Sequence, residues 1–168
     1  EGAAAPRLAE LLNATVFNPQ WTADKPAKKA FNWENWNEFA AVTIWYGGGA
    51  PLRLRDFTPQ RIADAEKYVR DGGTLLIIAD KAPVSDNRKA ATQNLKTLLG
   101  ADSWAPFEGK AQIQDEIFRD CGAIPEVFEH MLNPPGAALT GLTSAKVLIG
   151  NESGALATVN TLGRGKVY

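Results

Sequence analysis

Residues 57–80 read FTPQRIADAEKYVRDGGTLLIIAD, and they predict a capped helix, a glycine stop and a buried strand. Thr58 stands where an N-cap is expected, and Pro59 follows at the first helical position, where its missing N–H costs nothing. Gly72 supplies the left-handed residue that ends the helix. Residues 74–79 are apolar without alternation, as in a strand covered on both faces. The stretch therefore predicts half of a βαβ unit.

The segments on either side predict the rest of an α/β fold. Residues 39–45 are apolar throughout and precede the helix as a strand. Residues 85–100 follow as a leucine-rich helix that Gly100 ends. A hairpin at Gly163 joins the last two of three short strands that close the chain: residues 146–149, 155–160 and 166–168.

The amino-terminal part lacks the strand that a parallel sheet normally places before its first helix. Ala4–Leu12 predicts a helix, and residues 14–17 predict a short strand after it. In a right-handed βαβ unit a parallel strand precedes the helix. We therefore expect about five to eight apolar residues to precede Glu1 in a longer polypeptide, of which residues 1–168 form a single domain.

Composition argues against several kinds of partner. The formal net charge of −1 gives no reason to expect nucleic acid or an anionic membrane as a partner. The apolar runs of the sequence are too short for a transmembrane helix. The one cysteine, Cys121, cannot form an internal disulfide and leaves the redox compartment undecided. We favour a secreted or periplasmic location slightly over the cytoplasm.

Three of the five tryptophans, Trp21, Trp33 and Trp36, lie close together in the sequence. Lysines and asparagines lie among them, and such a mixture can stack on sugars or bases. Trp33 and Trp36 are also spaced to cover a sheet edge from a short helix, and we favour that structural interpretation. A carbohydrate-binding accessory module that uses both tryptophans stays open as an alternative.

Glycine and charged residues follow two predicted strands at their carboxyl ends, where open parallel sheets bind ligands. No cofactor is expected, because the glycines match neither a P-loop nor a dinucleotide fingerprint. We expect a ligand-binding crevice, with the two tryptophans as a wall, formed by Tyr46, Gly47, Gly48, Asp80, Lys81, Trp33 and Trp36.

Three segments resemble the class I glutamine amidotransferase-like superfamily: Asp71-Gly72-Gly73-Thr74-Leu75-Leu76, Leu98-Leu99-Gly100 and Gly163-Arg164-Gly165-Lys166-Val167-Tyr168. The resemblance is strongest to its non-catalytic branch, of the kind found as the trimerisation domain of bacterial β-galactosidases. It covers residues 40–100 well and residues 145–168 fairly. It implies a flavodoxin-like three-layer sandwich with a mainly parallel central sheet, here followed by a C-terminal β-hairpin.

The residues that hydrolyse glutamine in that superfamily are missing at the matching positions. Active members carry Gly-x-Cys-x-Gly at a strand-to-helix elbow, where this chain has Ile78-Ala79-Asp80-Lys81-Ala82. Asp80 cannot act as a thiolate nucleophile. Active members also use a His-x-Glu motif, whereas His130 is followed by Met131-Leu132. We therefore expect no catalytic residues of that kind.

Other reactive side chains give weaker signals. Cys121 is best interpreted as a small, packed hydrophobic residue, and His130 has no second histidine with which to hold a metal. Asp115, Glu116 and Asp120 do not have the spacing of a calcium-binding loop and predict a solvated face. No metal site is expected.

We interpret the chain as a non-catalytic amidotransferase-like domain that serves ligand binding or assembly within a larger protein, with a carbohydrate-active protein as the first candidate. The expected partners are other domains of the same polypeptide, a second copy of the chain in a homo-oligomer, or a carbohydrate or small-molecule ligand. A further alternative is a hydrolase or other enzyme that uses Asp80 with Lys81 in the crevice, and a buried pair with perturbed pKa values would support it.

Overall fold

The computed structural model describes residues 36–46, 58–79, 93–116 and 137–168. The chain divides into two units, Glu1–Trp33 and Glu34–Tyr168, and every described residue belongs to the second. After a 3-10 turn at Trp36–Glu38, the described elements are β1 (Ala41–Tyr46), α1 (Pro59–Arg70), β2 (Thr74–Ala79), α2 (Lys96–Leu99), β3 (Ala101–Pro106), β4 (Gln112–Ile113), β5 (Ala137–Leu142), β6 (Lys146–Asn151), β7 (Gly154–Leu162) and β8 (Gly165–Val167).

Helix α1 begins and ends where the sequence predicts. The backbone of Thr58 is extended, with φ −65° and ψ 155°, and its hydroxyl accepts a 3.3 Å hydrogen bond from the amide of Arg61. Past the last turn, Gly72 takes a φ of 113°, which releases the chain from the helix. The predicted apolar stripe is buried and consists of Ile62, Ala65 and Val69.

The strands β1, β2 and β8 form the parallel part of the sheet. β1 pairs with β2 along its whole length, from Ala41 opposite Thr74 to Tyr46 opposite Ala79. β8 pairs with the other edge of β2, with Leu75 opposite Val167. Leu75 is fully buried, whereas Leu76 on the opposite face is 36% exposed. The two faces of β2 are therefore covered unequally, and not equally as its unbroken apolar sequence predicts.

The long strand β7 connects this parallel part to an antiparallel part. Its first residues pair with β6 on one side and meet β5 on the other, since Ala155 lies opposite both Gly150 and Leu139. Its last residues pair with β8, with Leu162 opposite Gly165. β3 pairs antiparallel with β5, and β4 pairs antiparallel with β6. Through β7 all eight described strands belong to one sheet.

The predicted fold class, a flavodoxin-like three-layer sandwich with a mainly parallel central sheet, is wrong. The described part of the chain contains eight strands against two helices, and its sheet is mixed. Consecutive parallel strands need a crossover of a dozen or more residues. The last strands are joined instead by the short turns Thr143–Ala145, Glu152–Ser153 and Gly163–Arg164, which leave no room for crossover helices. The C-terminal hairpin itself is present between β7 and β8.

Helix α2 lies at the C-terminal end of the predicted helix over residues 85–100, of which residues 85–92 lie outside the described ranges. Leu95, Leu98 and Leu99 are buried as expected, and Gly100 ends the helix with a φ of 64°. The Asn160 side chain of β7 reaches this end of α2 and donates to the carbonyls of Thr97 and Leu98. β7 and α2 are thereby joined through a buried polar side chain. The predicted helix Ala4–Leu12 and strand at 14–17 lie outside the described residues.

Tyr68 of α1 joins three parts of the chain. Its hydroxyl lies 3.0 Å from the Phe39 carbonyl and 3.3 Å from the Thr74 carbonyl, so its single proton is shared between the ends of two strands. The side chain is 4% exposed, and burial raises the pKa of the phenol above its ordinary value of 10.0. Trp36 packs against its ring with a centroid distance of 5.5 Å.

Replacing Tyr68 with phenylalanine is expected to lower the free energy of unfolding by about 1 kcal/mol at neutral pH, because the hydroxyl's bonds are lost. Above pH 10.0 the unfolded wild-type chain loses the Tyr68 proton while the folded chain keeps it, so wild-type stability falls with rising pH. The difference in free energy of unfolding between the wild type and Tyr68→Phe should therefore shrink above pH 10.0. Urea titrations at neutral and alkaline pH measure it, and a pH-independent difference would contradict the interpretation.

Candidate functional site

The sequence places the predicted crevice at the carboxyl ends of β1 and β2. These strands end side by side, with Tyr46 opposite Ala79, so the segments that follow them begin at neighbouring points of one sheet edge. Of the crevice residues predicted in these loops, Tyr46 is described, as the last residue of β1. The other crevice residues of the loops, with Trp33, lie outside the described residues: Gly47, Gly48, Asp80 and Lys81.

Trp36 occupies an interior position. It is 3% exposed and lies against the Tyr68 ring at an interplanar angle of 39°. A tryptophan that stacks on a sugar has to present its ring face to solvent. The placement of Trp36 fits the structural interpretation and gives no support to a carbohydrate platform built on this side chain.

Two of the three segments that carry the family resemblance meet in the folded chain. The turn after α1, Asp71–Gly73, lies beside the hairpin turn between β7 and β8. The amide of Arg164 donates to the Arg70 carbonyl at 3.1 Å, and the amide of Lys166 donates to the Gly73 carbonyl at 3.3 Å. Tyr168 continues the contact by donating to the Leu75 carbonyl at 2.8 Å. We call this contact between residues 70–75 and 163–168 the turn–hairpin junction.

Glycines allow the backbones at the turn–hairpin junction to approach each other. A Cβ on Gly165 would collide with the carbonyl oxygens of Val69 and Gly73, and a Cβ on Gly163 would lie 2.6 Å from the Arg70 carbonyl oxygen. A Cβ on Gly73 would enter the ring of Tyr68. Gly73, Gly163 and Gly165 are therefore required for packing.

Charged side chains surround the turn–hairpin junction on its solvent side. Lys67 forms an ion pair with the carboxylate of Asp71 one helical turn later, and Arg164 Nη2 donates to the Asp71 carbonyl oxygen at 2.7 Å. The hydrogen bond and charge of Lys67, with a further contribution from the charge of Arg164, lower the pKa of the Asp71 carboxyl. Lys67 and Arg164 place two positive charges at the carboxyl end of α1, where the helix dipole favours cations.

One residue of the predicted acidic cluster has a structural partner. Asp115 is 9% exposed, and its Oδ2 accepts a 2.8 Å hydrogen bond from the Lys146 ammonium. That bond and the charge of Asp115 raise the pKa of Lys146. Asp120 lies outside the described residues, as do Cys121 and His130. Among the residues that the structure describes, no three His, Cys, Asp or Glu side chains are grouped to hold a metal ion.

The turn between β6 and β7 holds the loop before β4. Asn151 Nδ2 donates to the carbonyls of Glu108 and Lys110 at 2.7 and 3.1 Å, while its Oδ1 accepts from the Ser153 amide at 2.7 Å. Asn151-Glu152-Ser153 matches the N-glycosylation pattern, a tripeptide that often arises by chance. In the structure this asparagine amide binds backbone.

No helix in the described ranges is long and apolar enough to cross a membrane. No protein-family model matches the sequence, and no curated protein is significantly similar to it.

Proposed function

We propose that the chain is a non-catalytic, amidotransferase-like domain that serves ligand binding or assembly within a larger protein, with a carbohydrate-active protein as the first candidate. The observation that supports this proposal most is the turn–hairpin junction. Two of the three segments that resemble the superfamily pair with each other there, with Thr74 opposite Lys166.

The polar groups of these segments are used to hold the chain together. The amides of Gly72 and Gly73 donate to the carbonyls of Val69 and Tyr68 at 2.9 and 3.0 Å. A glycine-rich segment that binds an anion instead leaves successive amides pointing at the ligand. The glycine-rich turn therefore has a structural role in this chain.

The proposal concerns the function and not the fold class. Its structural support comes from the parallel strands and α1. The resemblance covers β1, α1 and β2 well and covers β8 fairly. The antiparallel strands β3–β7 depart from the flavodoxin-like order. No described observation favours an enzyme that uses Asp80 with Lys81, and the burial of Trp36 weighs against an accessory module built on it.

The purified chain is expected not to hydrolyse glutamine, because its elbow has Asp80 in place of a cysteine and His130 lacks a glutamate partner. The measurement is glutamate release from glutamine, with a coupled dehydrogenase as the reporter. Cys121→Ala is the matched control. Turnover in the wild type that disappears in this variant would identify Cys121 as a nucleophile and overturn the non-catalytic assignment.

Binding and assembly are tested on the same preparation. Sedimentation velocity over a range of protein concentrations measures self-association. Thermal unfolding with oligosaccharides of glucose, xylose and galactose measures ligand binding. A sugar at one hundred times its Kd stabilises by about 2.7 kcal/mol, which is about 5–10 °C for a domain of this size.

A sugar-dependent shift should be lost in Asp80→Ala and kept in Lys96→Ala, which changes an exposed residue of α2 that is not among the predicted crevice residues. Self-association without a sugar-dependent shift in melting temperature would favour assembly over ligand binding as the function. A chain that stays monomeric and shows no shift with any of these sugars would contradict the proposed function.

A further inference from the structure

Asp71-Gly72 is the only Asp-Gly or Asn-Gly dipeptide in the chain. In such a dipeptide the glycine backbone nitrogen can attack Cγ of the preceding side chain. An N–Cγ bond forms, the carboxyl loses one oxygen as water, and a five-membered succinimide results. Water then opens either ring carbonyl and gives back aspartate or isoaspartate, in which the main chain passes through Cβ. The net reaction is an isomerisation without gain or loss of atoms.

The folded chain holds this dipeptide in a conformation that opposes ring closure. Asp71 has φ −78° and ψ −2°. With ψ near zero, the nitrogen of Gly72 is eclipsed with the nitrogen of Asp71 and is turned away from Cβ and the carboxyl carbon. The Gly72 amide also donates a 2.9 Å hydrogen bond to the Val69 carbonyl, so its proton is engaged. Closure therefore requires rotation about ψ and loss of this bond.

The β7–β8 hairpin prevents that rotation. Rotation about ψ of Asp71 swings its carbonyl oxygen, to which Arg164 Nη2 donates at 2.7 Å. The peptide between Gly73 and Thr74 is held as well, because the Lys166 amide donates to the Gly73 carbonyl at 3.3 Å. The reactive dipeptide is thus fixed from both sides by residues that follow it by more than ninety positions, as the separation of 93 between Asp71 and Arg164 shows.

The carboxyl group is held in its unreactive form. Cyclisation proceeds from the neutral acid, because a carboxylate repels a nucleophile and is a poor acceptor of it. Lys67 pairs with the Asp71 carboxylate and lowers its pKa, which reduces the neutral fraction at physiological pH. This contribution adds to the backbone geometry.

We propose that Asp71-Gly72 is a spontaneous isomerisation site. The docked β7–β8 hairpin keeps it unreactive, and it reacts when the turn–hairpin junction opens. Isoaspartate inserts a methylene into the main chain between Asp71 and Gly72. The amides of Gly72 and Gly73 then no longer meet the carbonyls of Val69 and Tyr68 in register. An opening of the junction thereby leads to isoaspartate at residue 71, and this covalent change hinders re-formation of the junction.

The test compares isoaspartate formation at residue 71 in the full chain, folded in buffer and unfolded in urea at the same neutral pH. Isoaspartate is measured by peptide mapping and by methylation with an isoaspartyl methyltransferase. The folded chain should react at least about tenfold more slowly, which corresponds to about 1.4 kcal/mol of opening free energy. Equal rates in the two states would overturn the proposal.

Two exposed hairpin variants separate the role of the junction from that of folding in general. Arg164→Ala removes the bond to the Asp71 carbonyl and should raise the folded-state rate about 2- to 10-fold, as expected for one hydrogen bond. Lys166→Ala is the matched control, since its backbone amide makes the contact with Gly73. An unchanged rate in Arg164→Ala, or an equal acceleration in both variants, would overturn the role assigned to the hairpin.

Discussion

Replacing Asn160 with alanine is expected to lower the free energy of unfolding by about 3 kcal/mol, because three hydrogen bonds of a buried side chain are lost together. Asn160 is 1% exposed. Its Nδ2 donates to the carbonyls of Thr97 and Leu98, each at 2.9 Å, and its Oδ1 accepts from the Ser144 hydroxyl at 2.9 Å. Truncation leaves the end of α2 buried without its donor, at roughly 1 kcal/mol for each group that loses its partner.

The measurement is urea unfolding followed by tryptophan fluorescence, and the melting temperature should fall by about 6–12 °C. Ser144→Ala is the matched control, because it removes only the bond to Oδ1 and should cost about 1 kcal/mol. Asn160→Asp keeps the shape of the side chain but removes the two donors from Nδ2. If this variant were as stable as the wild type, the bonds to α2 would not be the source of the effect.

The role of Asn160 has no signal in the sequence. It stands near the end of a predicted strand, where a polar residue normally indicates the solvent face or a turn. Its partners Thr97 and Leu98 lie more than sixty positions earlier, as the separation of 63 to Thr97 shows, and only the mixed sheet brings them together. The burial of Asn160 becomes predictable once it is known that β7 passes the end of α2.

Local signals predict the α1–β2 unit well. Each of its features depends on residues nearby in the sequence, and each is observed: the cap at Thr58, the glycine at 72 and the strand at 74–79. Such features are decided by backbone sterics and by nearby hydrogen bonds. The β7–β8 hairpin was predictable for the same reason, since its turn residues are adjacent to the strands that they join.

Sheet direction was not predictable from the same signals. An unbroken apolar run indicates a buried strand but does not determine whether the neighbouring strand runs parallel or antiparallel. The resemblance to the amidotransferase-like superfamily favoured parallel strands. β3 and β5 were missed altogether. β3 reads Ala-Asp-Ser-Trp-Ala-Pro, with only one residue that favours strands, and pairing with β5 decides its conformation. The predicted crevice could be placed only through the strand ends, because its loops carry no local motif that determines their geometry.

The second large effect is expected at Gly165 in the turn–hairpin junction, where other residues could adopt the backbone angles. Gly165 does not have a positive φ, so alanine there is penalised by contact and not by conformation. Its Cβ would meet the carbonyl oxygens of Val69 and Gly73 and would lie 2.9 Å from the Val69 carbonyl carbon. Both carbonyls are fixed, since Gly72 donates to the first and Lys166 to the second.

Gly165→Ala is therefore expected to lower the free energy of unfolding by about 3 kcal/mol or more, the upper range for overpacking, because backbone cannot yield as a side chain does. Gly72→Ala is the matched control. Its φ of 113° strains alanine by about 1–2 kcal/mol, but the nearest atom to the added Cβ, on Arg164, is 3.9 Å away. Urea unfolding of both variants measures the difference. A cost at Gly72 that equals or exceeds the cost at Gly165 would show that close backbone approach is not what the junction requires.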